Sequence, residues 1–133
     1  MRWFCVQNSG RLSDENGFVT EGYSGFGVGK NNPAFEEVPD VGPIPAGDYD
    51  VGEALDHPEL GPVAVPLIAR PGTDTHGREG FFVHGDSIQH PGEASHGCVI
   101  IEPRSVRERL QEGDTFTVVH DSSDLVAAMA EAA

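Results

Sequence analysis

The sequence predicts one mainly β domain with one or two short helices. The chain has 133 residues, the length of a single domain. Its 17 glycines and 10 prolines follow no repeating period, which is typical of a turn-rich globular fold and not of collagen or a disordered chain. Short runs of β-branched and aromatic residues separate these turns, and only one internal segment has a helical pattern. We expect a domain over residues 1–120 and a helical or frayed tail over residues 121–133.

The first half of the chain predicts two strands in a hairpin, a long loop and a further strand. Residues 3–6 alternate in the manner of an opening strand, and the Asn16-Gly17 dipeptide favours a two-residue turn before a β-prone run at 18–20. Residues 22–39 carry glycine at alternating positions and predict a long irregular loop. Proline-fixed turns then lead into a strand that ends near residue 51.

The second half predicts four more strands and the helices. The strands are indicated by apolar and β-branched runs at residues 63–68, 80–84, 99–101 and 115–120. Pro66 places the first of them at a sheet edge, because proline cannot donate a ladder hydrogen bond. A helix is predicted at 103–111, with Pro103 in its first turn. The tail from residue 121 begins with Ser122, Ser123 and Asp124 as its candidate caps.

The charge balance excludes several partners. The chain has eight Lys and Arg and 22 Asp and Glu, which gives a formal net charge of −14. This charge disfavours binding to nucleic acid or anionic lipid and favours neutral or cationic partners. The longest apolar run, residues 125–130, is too short to cross a bilayer, and we expect no membrane insertion. Residues 1–8 lack the pattern of a secretory signal, so we do not expect export by the general route.

The tetrapeptide Ser95-His96-Gly97-Cys98 predicts a cysteine nucleophile. It follows His84, at the end of a predicted strand, by eleven residues. A free thiol is only a few per cent ionised at neutral pH and needs an imidazole base. We prefer His84 as that base because a strand positions it rigidly, and His96 is the alternative base or a supporting contact. Gly97 would let backbone amides face a substrate oxygen, and we expect Cys5 and Cys98 to be free thiols.

Two less reactive interpretations stay open at this point. Cys98 is also compatible with a buried, inert cysteine. A zinc site is the main chemical rival, although no spacing matches a known zinc motif. Its candidate ligands are His76, Asp86, His90, His96, Cys98 and His120. His57, in a predicted turn, is expected to be a surface histidine.

The motif His84-Gly85 followed by Ser95-His96-Gly97-Cys98 resembles the signature of the L,D-transpeptidase family. The chain is most similar to the small L,D-transpeptidase-like effector domains of type VI secretion, and the resemblance extends over about residues 3–119. Further segments also support the resemblance. They are Trp3 and residues 8–12, 22–25, 30–33, 42–47, 71–74 and 84–87. Two features depart from the larger enzymes. The interval between His84 and Ser95 is shorter, and Ile100 stands where a polar residue commonly follows the cysteine.

The resemblance implies an L,D-transpeptidase-like β-sandwich or barrel and a thiol enzyme that needs no cofactor or metal. It implies that Cys98 is the nucleophile, His84 the base and His96 a supporting catalytic residue. Substrate-binding or oxyanion contacts would come from Tyr23, Gly85, Asp86, Ser95 and Gly97.

The same resemblance implies an activity and a place of action. The substrate would be a peptidoglycan stem peptide, cut by L,D-carboxypeptidase action or joined to a D-amino acid by L,D-transpeptidase exchange. Such an effector would be a toxin that acts in the periplasm of a target bacterium, with an immunity protein as a possible partner. The alternative is a non-catalytic β domain that binds cell-wall glycan or protein.

Overall fold

The computed structural model describes residues 1–132 and confirms a mainly β fold. Ten strands are present in this part of the chain. They are β1 (Arg2–Val6), β2 (Arg11–Asp14), β3 (Gly17–Glu21), β4 (Tyr23–Ser24), β5 (Gly47–Val51), β6 (Leu55–His57), β7 (Gly61–Ala69), β8 (Phe81–His84), β9 (Val99–Ile100) and β10 (Thr115–Val119). Nine form a path in the order β3-β2-β1-β10-β5-β7-β8-β9-β4, and β6 pairs with β7 beside it.

The sheet curls back on itself at Gly22. Its two end strands, β3 and β4, are consecutive in the chain and are joined by this one residue. A Cβ on Gly22 would lie 1.9 Å from the Ile100 carbonyl oxygen, and one on Gly10 would lie 1.8 Å from the Gly22 carbonyl oxygen. Only glycine allows backbones to cross this closely, so the barrel-like closure depends on both residues.

The centre of the sheet is built by the two ends of the sequence. Strand β10 pairs in parallel with β1 and antiparallel with β5. Trp3, Tyr49 and Phe116 fill the core from these strands. The Trp3 indole N–H donates to Asp114 at 3.0 Å, as does the Gln111 backbone N–H.

The prediction that Pro66 lies on an edge strand is wrong, because β7 pairs with β5 on one side and with β8 on the other. The Pro66 carbonyl accepts from Gly52 N–H, so the nitrogen of Pro66 points to the same side. On that side β5 ends at Val51 and β6 begins at Leu55, which leaves a gap in the ladder where no donor is needed. A proline is therefore tolerated inside the sheet.

Four other local predictions need correction. In the predicted hairpin, the strand that pairs with β3 is β2 and not the strand at residues 3–6, which pairs with β2 instead. The predicted loop 22–39 contains β4 and two short 3₁₀ turns, Gly27–Gly29 and Pro33–Phe35. The predicted helix 103–111 is a single turn, α1 (Arg104–Arg107). The helix α2 (Ser122–Ala132) is capped by the Asp121 carboxylate, which accepts from the Ser123 and Asp124 N–H groups. The last residue of the predicted tail lies outside the described residues.

Within residues 1–132, neither helix is long and apolar enough to span a bilayer.

Candidate active site

His84 and Cys98 lie on neighbouring parallel strands. His84 ends β8 and pairs with Ile100 of β9, while Cys98 immediately precedes β9 and so lies beside Phe82. Neighbouring strands are about 4.8 Å apart and each residue advances about 3.3 Å, so the two Cα atoms are roughly 8 Å apart. The parallel pairing of two short strands brings together residues that are fourteen positions apart in the sequence.

The Cys98 thiol is half-buried beside the beginning of β8. Its sulfur contacts the Gly80 carbonyl oxygen at 3.7 Å. Burial raises the pKa of Cys98, while the Phe82 backbone N–H and the charge of Arg78 act in the opposite direction. The thiol is therefore predominantly protonated at neutral pH and needs a base to become a nucleophile.

His84 has the properties of such a base. The side chain is 3% exposed, and its Nδ1 lies 2.9 Å from the Gly85 carbonyl oxygen. A carbonyl only accepts, so Nδ1 carries the proton and Nε2 of the neutral ring is free to accept one. Burial lowers the pKa of His84, and the charge of Arg107 lowers it further, against the raising effect of the Gly85 hydrogen bond.

His96 has a different environment. It is exposed, and its ring stacks on Phe26 with the centroids 5.3 Å apart. Its Nδ1 lies 3.4 Å from the Asp40 carbonyl oxygen, a long contact. These features suit a side chain at the mouth of the site better than a fixed base.

Ser95 fixes the backbone around the cysteine. The residue has 0% relative exposure, and its hydroxyl accepts from the Gly25 and Gly97 N–H groups at 2.9 and 3.1 Å. The same hydroxyl donates to the Cys98 carbonyl oxygen at 2.6 Å. One side chain thus holds the motif in a tight turn and attaches it to the loop after β4.

Tyr23 and Asp86 anchor the loop between β8 and the motif. The Tyr23 hydroxyl donates to Asp86 Oδ1 at 2.6 Å and accepts from the Ala94 N–H at 3.0 Å. Asp86 also accepts from the Ser87 and Gly92 N–H groups. Burial would raise the pKa of Asp86, but these hydrogen bonds together lower it. The loop is therefore tied down at both ends.

Two adjoining cavities surround these residues. One, of about 490 Å³, is lined by His84, Gly85 and Asp86, and the other, of about 160 Å³, by Gly97 and Cys98. His96 borders both. His84 and Cys98 thus line two cavities that adjoin at His96.

Two buried arginines near the site were not predicted. Arg107, 5% exposed, donates to the carbonyls of Val63 and Ile101, and its guanidinium lies against Gly85. Arg78, 8% exposed, lines the cavity of Cys98. Arg107 lies in the segment predicted as a helix over 103–111, and Arg78 lies in a segment that predicts only a loop.

His57 also differs from the prediction. It ends β6, and its ring packs edge-on against Phe82 at 5.4 Å between centroids. Its Nδ1 accepts from the Glu59 and Leu60 N–H groups. This histidine shapes the turn before β7 and is not a free surface side chain.

The candidate zinc ligands are dispersed. Among residues 1–132, no group of three or more His, Cys, Asp and Glu side chains is placed to hold a metal ion. His76 and His120 instead lie 3.1 and 3.3 Å from the Glu36 carboxylate.

The fold places the protein in the class of L,D-transpeptidase-like domains. The chain is similar to an L,D-transpeptidase from Stackebrandtia nassauensis, with a TM-score of 0.57 and 18% identity over 90% of this chain and 55% of that chain. It is also similar to Mycobacterium tuberculosis L,D-transpeptidase 1, with a TM-score of 0.51 and 14% identity over 89% of this chain and 60% of that chain. The chain spans little more than half the length of these two enzymes.

The family follows from the sequence itself. The model of the Tlde1 domain matches residues 18–121. The chain therefore belongs to the Tlde1 domain family, a family of type VI secretion effectors. Comparison with curated protein sequences gave no match.

Proposed function

We propose that this protein is a cysteine-dependent acyl transferase that acts on peptidoglycan stem peptides. The observation that carries the proposal is the placement of Cys98 and His84 on adjacent parallel strands, beside adjoining cavities, in an L,D-transpeptidase-like fold. The names of the similar structures and the family match support the choice of substrate.

The first half of the reaction forms an acyl-enzyme. The Cys98 sulfur attacks the carbonyl carbon that precedes a terminal D-alanine, and the thiol proton passes to Nε2 of His84. The carbon–nitrogen bond then breaks, the imidazole returns the proton to the amine, and D-alanine leaves. In this structure the sulfur contacts the Gly80 carbonyl oxygen, so the S–H bond turns from that oxygen towards His84 before the transfer.

Ser95, Gly97 and the residues that anchor the loop before the motif support this step in different ways. Because Ser95 already accepts from the Gly97 N–H, the Cys98 N–H is our candidate donor to the oxyanion, with Gly97 supplying the required backbone conformation. Tyr23, Gly85 and Asp86 line or brace the larger cavity, where the rest of the stem peptide would bind.

The second half of the reaction depends on the acceptor. Water gives L,D-carboxypeptidase action: His84 takes a proton from water, the hydroxide attacks the thioester, and the thiolate of Cys98 leaves and recovers the proton. A D-amino acid would react in the same way through its amine and give an exchanged peptide. The larger cavity, about 490 Å³, is open to both acceptors.

Mass spectrometry of muropeptides tests the proposal. Purified protein is incubated with tetrapeptide muropeptides, with and without a free D-amino acid, and loss of D-alanine or its exchange is expected. Cys98→Ala and His84→Asn should both abolish the product while the circular dichroism spectrum stays native. Cys5→Ser is the matched control, because Cys5 is a buried core thiol away from the site. Unchanged muropeptides with the wild-type protein would refute the assignment.

The family match supports a role as a toxin delivered into the periplasm of a neighbouring bacterium, with an immunity protein as its inhibitor. Expression in a test bacterium with and without a periplasmic targeting sequence checks the place of action. Growth arrest is expected only with targeting and only with Cys98 intact. Arrest without targeting would contradict a periplasmic substrate.

A non-catalytic β domain that binds glycan or protein is the second candidate. The same Cys98→Ala variant separates the two, because a binding module keeps its effect on cells without the thiol and an enzyme loses it.

A further inference from the structure

Arg78 lines the cavity of Cys98 and contacts Gly97 of the catalytic motif. It shares the cavity of about 160 Å³ with Gly97 and Cys98, yet only 8% of the residue is exposed. A buried arginine is costly unless its donors are satisfied, so its position needs a structural reason.

Backbone carbonyls of one loop supply part of that reason. Arg78 Nη1 donates to the carbonyl oxygens of Glu36 and Pro43 at 2.7 and 2.8 Å, and Nη2 donates to that of Gly42 at 3.0 Å. The guanidinium therefore holds together the loop that contributes Pro39 and Asp40 to the same cavity. These partners are neutral, so the positive charge is not cancelled by a carboxylate in direct contact.

Gly97 supplies the contact with the motif. A Cβ on Gly97 would lie 2.4 Å from Arg78 Nη2, so the missing side chain is what lets the guanidinium reach the backbone next to the nucleophile. Gly97 also has a φ of +127°, a conformation that other residues rarely adopt. Both properties of this glycine are needed for the observed contact.

The charges around Cys98 make the position of Arg78 significant. Asp40 and Glu79 also line the cavity and oppose a negative sulfur, and His96 borders it. Among the described residues of this cavity, Arg78 has the one side chain with a permanent positive charge. In a protein with a formal net charge of −14, an anionic thiolate needs such local compensation.

The geometry points to Arg78 as a positioning residue that stabilises the thiolate of Cys98 by its charge and holds the cavity wall through its three carbonyl contacts. This inference deepens the proposed function, since it concerns the same nucleophile. The direction of its electrostatic influence agrees, because the charge of Arg78 lowers the pKa of Cys98 against the effect of burial.

The pH dependence of thiol alkylation tests this inference without any peptidoglycan substrate. The rate of iodoacetamide labelling of Cys98 is followed by mass spectrometry from pH 6 to 11. The other thiol, Cys5, should label slowly over this range, because burial raises its pKa to about 12. The Cys98→Ala variant measures the labelling that does not come from Cys98. The variants are Arg78→Met, which removes the charge, and Arg78→Lys, which keeps it. Arg70→Met, on the surface beside Asp50, removes an equal charge away from the site.

We expect Arg78→Met to move the labelling midpoint to higher pH. Labelling near neutrality should become about tenfold slower for each pH unit by which the midpoint rises. Arg78→Lys and Arg70→Met should label with midpoints close to that of the wild type. If Arg78→Met does not fold, Arg78→Gln replaces it with the same expected result.

Three outcomes would overturn the inference: an unchanged midpoint in the neutral variant, an equal rise in the lysine variant, or an equal rise in Arg70→Met. Inactivity of the wild type on muropeptides would refute the proposed function alone, because the labelling midpoints do not depend on the substrate.

Discussion

Replacement of Gly97 by alanine should destabilise the protein more than the same change at Gly17. The two glycines have the same φ, +127°, but a Cβ on Gly17 would have no atom within 4 Å, whereas one on Gly97 would lie 2.4 Å from Arg78 Nη2. Gly17→Ala is therefore a matched control for the backbone strain alone.

The magnitudes follow from two separate costs. Holding alanine at such a φ costs about 1–3 kcal/mol in both variants. In Gly97→Ala the guanidinium must also move, and loss of its hydrogen bond to the Gly42 carbonyl adds about 1.5–3 kcal/mol, the usual contribution of a charged donor. We expect the difference between the two variants to equal this second cost.

Urea denaturation of the wild type and both variants measures the difference directly. The midpoints give the free energies of unfolding if the slopes agree, and the labelling midpoint of Cys98 should rise in Gly97→Ala only. Equal destabilisation by the two substitutions would refute the argument, because Arg78 would then have room to move without loss.

Three further predictions concern the base, the loop and the core. Arg107→Met should move the acid limb of activity to higher pH, because burial and then the charge of Arg107 lower the pKa of His84; an unchanged pH–rate profile would contradict this. Tyr23→Phe should cost about 1–3 kcal/mol in urea and speed hydrogen exchange in the loop before the motif, because an N–H and a carboxylate oxygen lose their partner. Asp114→Asn should weaken folding near neutrality. Hydrogen bonds lower the pKa of Asp114 despite burial, so its contribution is present above pH about 3.9 and is lost as the pH falls through its folded pKa. The stability curves of wild type and variant should therefore converge at low pH, and a constant gap would refute the assignment.

The sequence predicted those strands whose own residues carry the signal. Alternation and runs of aromatic and β-branched residues were enough to predict β1, β5, β8 and β10. It missed β2, β4 and β6, which have four, two and three residues, and β4 pairs with a strand that is distant in the sequence, β9. Periodicity cannot be detected over so few positions.

The residues of the candidate site were also predicted only in part. The sequence motif indicated Cys98, His84 and Ser95, because their residue types and spacing carry chemistry. The sequence did not indicate Arg78 and Arg107, because the backbone carbonyls that they bind belong to distant segments and carry no side-chain signature. The role of Pro66 was wrong because the gap between β5 and β6 appears only when the sheet is assembled.

The position of β10 inside the sheet, between β1 and β5, decides when the sheet can be completed. Until residues 115–119 are available, no strand joins β1 to β5, and β1, β2 and β3 are held to the strands beyond β5 at the Gly22 closure. The sheet can therefore be completed only after this last strand has been synthesised. A chain cut before residue 115 would hold the complete Ser95-His96-Gly97-Cys98 motif and still lack the strand that joins β1 to β5.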